Sequence, residues 1–147
     1  MLGGSFVDTN IWVYAHLDAP GDHRHRIAYD LVTVLADSVI SPQATAEYYA
    51  VMLRADREDA WIQDNLSLML EYARCQPHNE RLIRRSWRIR NRYGFSPWDC
   101  QILAAALESG CSTLYTEDLQ HGQRIDGLTI VDPFKSDSFA ARTSGGP

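Results

Sequence analysis

Short apolar runs alternate with long stretches of helical periodicity in this chain, and no other feature limits its fold as much. Residues 5–8 form an apolar run that stops at Asp8, and Asp8-Thr9-Asn10 is helix-start chemistry for a helix to about residue 16. Ser38-Val39-Ile40-Ser41 is a second run, closed by Pro42. Residues 112–115 make another, which ends in Thr116-Glu117-Asp118, and residues 128–131 a last one, closed by Asp132-Pro133-Phe134. Between them, helical spacing predicts helices over about 22–37, 42–57, 58–73, 80–93 and 97–110. Strands separated by helices need crossover connections. The expected fold is therefore α/β, a central parallel sheet with helices on both faces.

Open α/β sheets bind ligands at the carboxyl ends of their strands. Asp8 and Asp118 end two strands, and Glu47 and Asp99 lie on helices that leave the same rim. Each has a plainer reading. Asp8 can simply cap the following helix, and Asp99 nearly completes a capping box with Ser96 in Ser96-Pro97-Trp98-Asp99. Yet Asp99 stands one turn before Ile102 and Leu103, which turns it inward, and Glu47 borders the stripe of Ala44, Tyr48, Val51 and Met52. A carboxylate in such a place is costly unless it is paired, protonated or bound to a cation. Four together repel one another and suit a hard cation with oxygen ligands, Mg²⁺ or Mn²⁺, whose usual work is on phosphate.

Composition removes several alternatives. At 147 residues, with 45% apolar, one domain over about 1–135 is expected, followed by a tail over 136–147. No uncharged apolar run reaches transmembrane length and the start shows no secretion signal, so the expected location is cytoplasmic, with no membrane partner. Cys75, Cys100 and Cys111 match no zinc or redox spacing, and His23 and His25 have no third ligand nearby. Net charge is −5, against bulk electrostatic binding of nucleic acid, but six arginines fall between Arg81 and Arg92. In that helix Leu82, Ile83, Ser86, Ile89 and Tyr93 form the inner face, and Arg90 among them calls for an acidic partner. The others cluster opposite, with Arg88 and Arg92 as candidates for contact with the phosphates of a polyanion. Trp61, Ile62, Leu66, Met69 and Leu70 form the apolar stripe of the preceding helix.

Phe6-Val7-Asp8-Thr9-Asn10, Glu47 after the second strand, Ser96-Pro97-Trp98-Asp99 heading an Ala-rich helix, and Leu114-Tyr115-Thr116-Glu117-Asp118 with Val131-Asp132-Pro133-Phe134 together resemble a PIN domain. The likeness extends over about residues 5–134 and is nearest to the VapC-type toxins of toxin–antitoxin pairs. It implies a five-stranded parallel sheet in the order 3-2-1-4-5, whose third strand lies near residues 74–76. It also implies a Mg²⁺- or Mn²⁺-dependent endoribonuclease with Asp8, Glu47, Asp99 and Asp118 as its acidic quartet and Thr9, Asn10 and Thr116 as polar helpers. Asp8, Glu47 and Asp99 would hold the ion, and Asp118 a second ion or the attacking water. A homodimer and a small VapB-type antitoxin are the implied partners. The alternatives are a PIN-type RNA-processing nuclease without an antitoxin, a haloacid-dehalogenase-like phosphatase and a catalytically silent RNA-binding module. The phosphatase needs a second Asp where Asn10 stands and a Lys in the site, whereas Lys135 is the only Lys. The silent module has no reason to keep four costly acids.

Overall fold

The apolar run before Asp8 is the central strand of the sheet. The structure is a computed structural model that describes residues 3–135. In it β1 (Ser5–Val7) pairs in parallel with β2 (Ser38–Ile40) on one side and β4 (Thr113–Tyr115) on the other. β3 (Arg74–Cys75) extends the sheet beyond β2, and β6 (Leu128–Val131) beyond β4, both parallel. The expected order is thus present, with β6 as its fifth strand. The addition is β5 (Arg124–Ile125), antiparallel to β6, which makes the sheet six-stranded and mixed, in the order β3-β2-β1-β4-β6-β5. Asp126 and Gly127 join β5 to β6, both with positive φ (49° and 88°), the backbone that a two-residue hairpin turn requires.

Among the described residues six helices cover the sheet: α1 (Thr9–His16), α2 (Arg24–Val34), α3 (Pro42–Arg54), α4 (Asp59–Tyr72), α5 (Glu80–Tyr93) and α6 (Pro97–Glu108). Adjacent strand residues face opposite layers. Phe6, Val39, Leu114 and Ile130 pack with Leu82 and Ile89 of α5 and Leu103 of α6. Val7, Ile40, Tyr115 and Val131 pack on the other face with Ile11, Trp12, Tyr48, Met52 and Ile62. No helix among the described residues is long and apolar enough to cross a membrane.

Several expectations change in detail. α2 stops at Val34, three residues short, because Leu35 turns extended and the Asp37 carbonyl accepts the Ser5 N–H beside β1. Its cap position is His23; Asp22 accepts the Arg24 N–H and pairs with the Arg24 side chain. α3 ends at Arg54, before Asp56 enters left-handed backbone. On α4, Ile62 and Met69 are buried but Leu70 is exposed, so the buried stripe is narrower than its spacing suggested. On α5, Ile83 is exposed and Leu82, Ser86 and Ile89 carry the contact. Arg90 has no acid partner among the described residues. It donates instead to the carbonyls of Gly94 and Phe95 at 2.8 and 2.6 Å, the carbonyl-rich exit of its own helix. The expected tail, 136–147, lies outside the described residues.

Candidate active site

Strand register brings the site together. Val7 pairs with Tyr115 and Tyr115 with Val131, so Asp8, Thr116 and Asp132 follow side by side along one rim. The Asp8 N–H donates to the Tyr115 carbonyl, and the Thr116 N–H to the Val131 carbonyl, both at 3.0 Å. α1, α3 and α6 all begin at this rim. Ser41 caps α3 through the Ala44 N–H at 3.3 Å, and Ser96 caps α6 through the Asp99 N–H at 3.1 Å. The second turn of α3 brings Glu47, and the first turn of α6 brings Asp99, to the strand ends.

Asp8, Glu47, Asp99 and Asp118 line one cavity of about 50 Å³, together with Thr9, Asn10, Gln43, Trp98 and Ile102. Asp8 is the cap of α1: its Oδ1 accepts the Thr9 N–H at 2.7 Å, and its Oδ2 accepts the Thr116 hydroxyl at 2.9 Å. Thr116 Oγ1 in turn accepts the Asp118 N–H at 3.1 Å, which joins the ends of β1 and β4. Glu47 Oε2 accepts from the Thr9 hydroxyl at 3.2 Å, and its Oε1 accepts from Gln43 Nε2 at 3.0 Å. Asp8 is thus both a cap and a member of the cavity. The carboxylates of Asp99 and Asp118 have no hydrogen-bond partner among the described residues; the N–H groups of the two residues donate to the hydroxyls of Ser96 and Thr116. Asp99 therefore does not close a capping box, and its carboxylate is free for a ligand.

Burial and mutual repulsion mark the same place. Asp8 is only 8% exposed, and burial raises its carboxyl from 3.8 to about 6 against the opposing bonds from Thr116 and Thr9. The Asp118 carboxyl is also raised, first by burial and then by the charges of Glu117, Asp99, Glu47 and Asp132. The donor set is entirely oxygen, as a hard cation prefers. Among the described residues, however, no three His, Cys, Asp or Glu side chains are drawn together closely enough to clasp an ion alone. A cation here would keep much of its water, as Mg²⁺ does.

Thr9 and Asn10 line the cavity, while Thr116 acts from behind it through Asp8 and Asp118. Arg88 and Arg92 do not join the acids. They line a separate cavity of about 300 Å³ with Arg85, Ile89, Tyr93 and Asp126, on the side of the β5–β6 turn. Arg92 reaches Asp126 at 3.5 Å, and Arg88 has no acidic partner among the described residues. Of the neighbouring acids Glu117 and Asp118, only Asp118 enters the site. Glu117 accepts the Tyr14 hydroxyl at 2.6 Å and lies 3.9 Å from Arg24. His25 is engaged by the Tyr14 carbonyl, at 2.8 Å. Gln43, Trp98 and Ile102 were not anticipated in the cavity. Gln43 could have been, since it stands four residues before Glu47 and so shares its helix face.

No curated protein matches the sequence. Among solved structures, the chain is similar to VapC20 of Mycobacterium tuberculosis, a Sarcin-Ricin loop cleaving toxin, with 21% identity and a TM-score of 0.64 over 78% of this chain and 91% of that one. It is similar to a chain of a toxin–antitoxin complex from Klebsiella pneumoniae, with 22% identity and a TM-score of 0.66 over 88% and 98%. VapBC-1 of nontypeable Haemophilus influenzae gives 22% and 0.64 over 89% and 98%. At such identities the likeness is one of fold. The sequence itself matches the PIN domain model over residues 5–127, most of its length, and the chain belongs to the PIN domain family.

Proposed function

We propose that this chain is a Mg²⁺- or Mn²⁺-dependent endoribonuclease and the toxin of a toxin–antitoxin pair. One observation carries the reading: four carboxylates from distant parts of the chain line a single cavity at the strand ends, two of them with no hydrogen-bond partner among the described residues. Asp8, Glu47, Asp99 and Asp118 would hold the ion. When bound, it would neutralise charge on a phosphodiester oxygen and make water a better nucleophile at neutral pH. Thr116 fixes the Asp8 carboxylate, and Thr9 and Gln43 fix that of Glu47. Asp118, whose carboxylate no other described residue engages, would orient the attacking water. Its addition at phosphorus breaks the bond to the 3′-oxygen and leaves a 5′-phosphate and a 3′-hydroxyl. Arg88 and Arg92 would meet phosphates of the flanking strand.

The antitoxin is supported by the neighbours, several of which are toxins in complex with their antitoxins. Leu53 on α3 and Leu68 and Tyr72 on α4 are exposed apolar side chains of the kind a protein partner or a second copy covers. The phosphatase reading gains nothing from the cavity, which contains Asn10 where a second Asp is needed and no Lys.

The test is cleavage of RNA by metal-stripped protein to which Mn²⁺ is returned, followed by mapping of the product ends. Asp99→Asn and Asp118→Asn should be folded and inactive. Near-wild-type cleavage by either at saturating Mn²⁺ would remove that residue from the site. Neutralisation of the activity by the product of a small adjacent gene would support the toxin role. Activity that no adjacent gene product restrains would favour an RNA-processing enzyme.

A further inference from the structure

The chain has four tryptophans, and three of them are engaged. Trp12 is buried and meets the His16 ring at 6.1 Å, Arg57 lies over the Trp61 ring at 5.5 Å, and Arg84 over that of Trp87 at 5.8 Å. Trp98 is 66% exposed, and its indole has no hydrogen-bond, ring or cation partner among the described residues. It is also the one at the rim: Trp98 lines the carboxylate cavity and precedes Asp99 in the first turn of α6. The backbone beneath it is held from several directions. Ser96 caps the helix through the Asp99 N–H, Pro97 opens it, and Gln43 Nε2 donates from α3 to the Trp98 carbonyl at 3.2 Å. Arg90 fixes the preceding connection through the carbonyls of Gly94 and Phe95. A large flat ring on a rigid base, with few rotatable bonds to order, is suited to a planar partner.

We propose that Trp98 stacks on a nucleobase beside the scissile phosphate, which makes unpaired RNA the substrate class of this site. The inference rests on the nuclease reading above and narrows it. Consecutive Cα atoms are about 3.8 Å apart, so a phosphate within reach of the Asp99 carboxylate brings its own base, or the next one, within reach of the indole. Stacking also meets an electrostatic need. The acids of the cavity repel a polyanion until a cation arrives, and Arg88 and Arg92 line a different cavity. A neutral ring adds affinity next to the reacting phosphate, and it takes any base because each has a π-face. A base inside a duplex is already stacked on its neighbours, so loops, ends and single strands are what can offer one. Trp98 thus selects RNA by strandedness rather than by sequence.

The test compares Trp98→Ala and Trp98→Phe with wild type in the full chain. The probes are a single-stranded oligoribonucleotide and an abasic oligomer of the same length and charge, titrated in EDTA so that nothing is cleaved. Trp98→Ala should bind the oligoribonucleotide about 5- to 150-fold more weakly, the range for removal of a base-stacking aromatic, and Trp98→Phe should recover most of the loss. Both variants should bind the abasic oligomer as wild type does. The salt slope should not change, because no phosphate contact is lost. Urea unfolding of Trp98→Ala should match wild type, as fits an exposed side chain. Affinity of Trp98→Ala for the oligoribonucleotide within twofold of wild type overturns the inference; weaker binding of the adjacent gene product by the same variant would then assign the indole to a protein partner. An equal loss on both oligomers overturns it too, since Trp98 would then only shape the site, and so does wild-type protein that binds neither. Wild-type protein that stacks RNA on Trp98 but never cleaves it with Mn²⁺ would sink the nuclease reading and leave this inference standing. Mn²⁺-dependent cleavage of the oligoribonucleotide that Trp98→Ala performs with unchanged KM would do the reverse.

Discussion

Asp8→Asn should stabilise the metal-free protein at neutral pH and lose that advantage in acid. Asp8 is buried, and its carboxyl is raised from 3.8 to about 6, chiefly by burial. Between those values the folded chain holds a proton that the unfolded chain has released, so raising the pH strips it at a cost and stability falls. Above about pH 6 the loss is complete, and the shift corresponds to about 3 kcal/mol. Asn removes the charge but retains most of the bonding. It caps helices as well as Asp does, so the Thr9 N–H is still met; only the bond from Thr116 must be remade, at about 1 kcal/mol. The net expectation is a variant about 2 kcal/mol more stable than wild type at pH 8 and about equal at pH 4.5. His16 works the other way: burial lowers its pKa, so acid destabilises the fold, but equally in both proteins, and the effect cancels in the difference. Urea unfolding in EDTA at the two pH values measures the gap. Equal stability at pH 8, or a gap as large in acid as at pH 8, would show that Asp8 is an ordinary solvated cap and refute the reasoning.

Three more outcomes are expected. Mn²⁺ should raise the melting temperature of wild type relative to EDTA by ligand linkage, and Asp118→Asn should abolish most of that rise without lowering metal-free stability. Arg88→Gln with Arg92→Gln should weaken single-stranded RNA binding and reduce its salt slope by about 1.4, at about 0.7 per phosphate contact. Arg81→Gln with Arg84→Gln should do less, because Glu108 and Glu80 already engage those two at 2.9 and 2.8 Å; filter binding across a salt series distinguishes the pairs. Ser41→Ala, which removes the cap of α3, should cost about 1 kcal/mol in urea unfolding and leave Mn²⁺ affinity within a few fold.

Much of the site was legible because strands that stop at an acid are rare and leave a mark. Asp8 and Asp118 follow such runs, and strand register then brings them to one rim. Asp99 was legible only as an ambiguity: the pattern that caps a helix also aims a carboxylate, and only the absence of a bond from that carboxylate separates the two. Gln43 was passed over because attention to cost falls on charges, whereas a neutral amide becomes conspicuous only when one of its atoms is found unpaired. β5 is two residues long, below any periodicity, though Ile125-Asp126-Gly127-Leu128 carried its turn. Arg90 was assigned an acid because charge pairing is readable from sequence, while the unpaired carbonyls at a helix end are not.

β1 has no slack. Phe6 serves one layer, Val7 the other, and Asp8 follows at once on the rim. One residue inserted or deleted between Gly4 and Asp8 would exchange the side chains offered to the two layers and carry the acid to the wrong face. A change of length should therefore be far more damaging in this strand than in a surface connection such as residues 17–21 between α1 and α2.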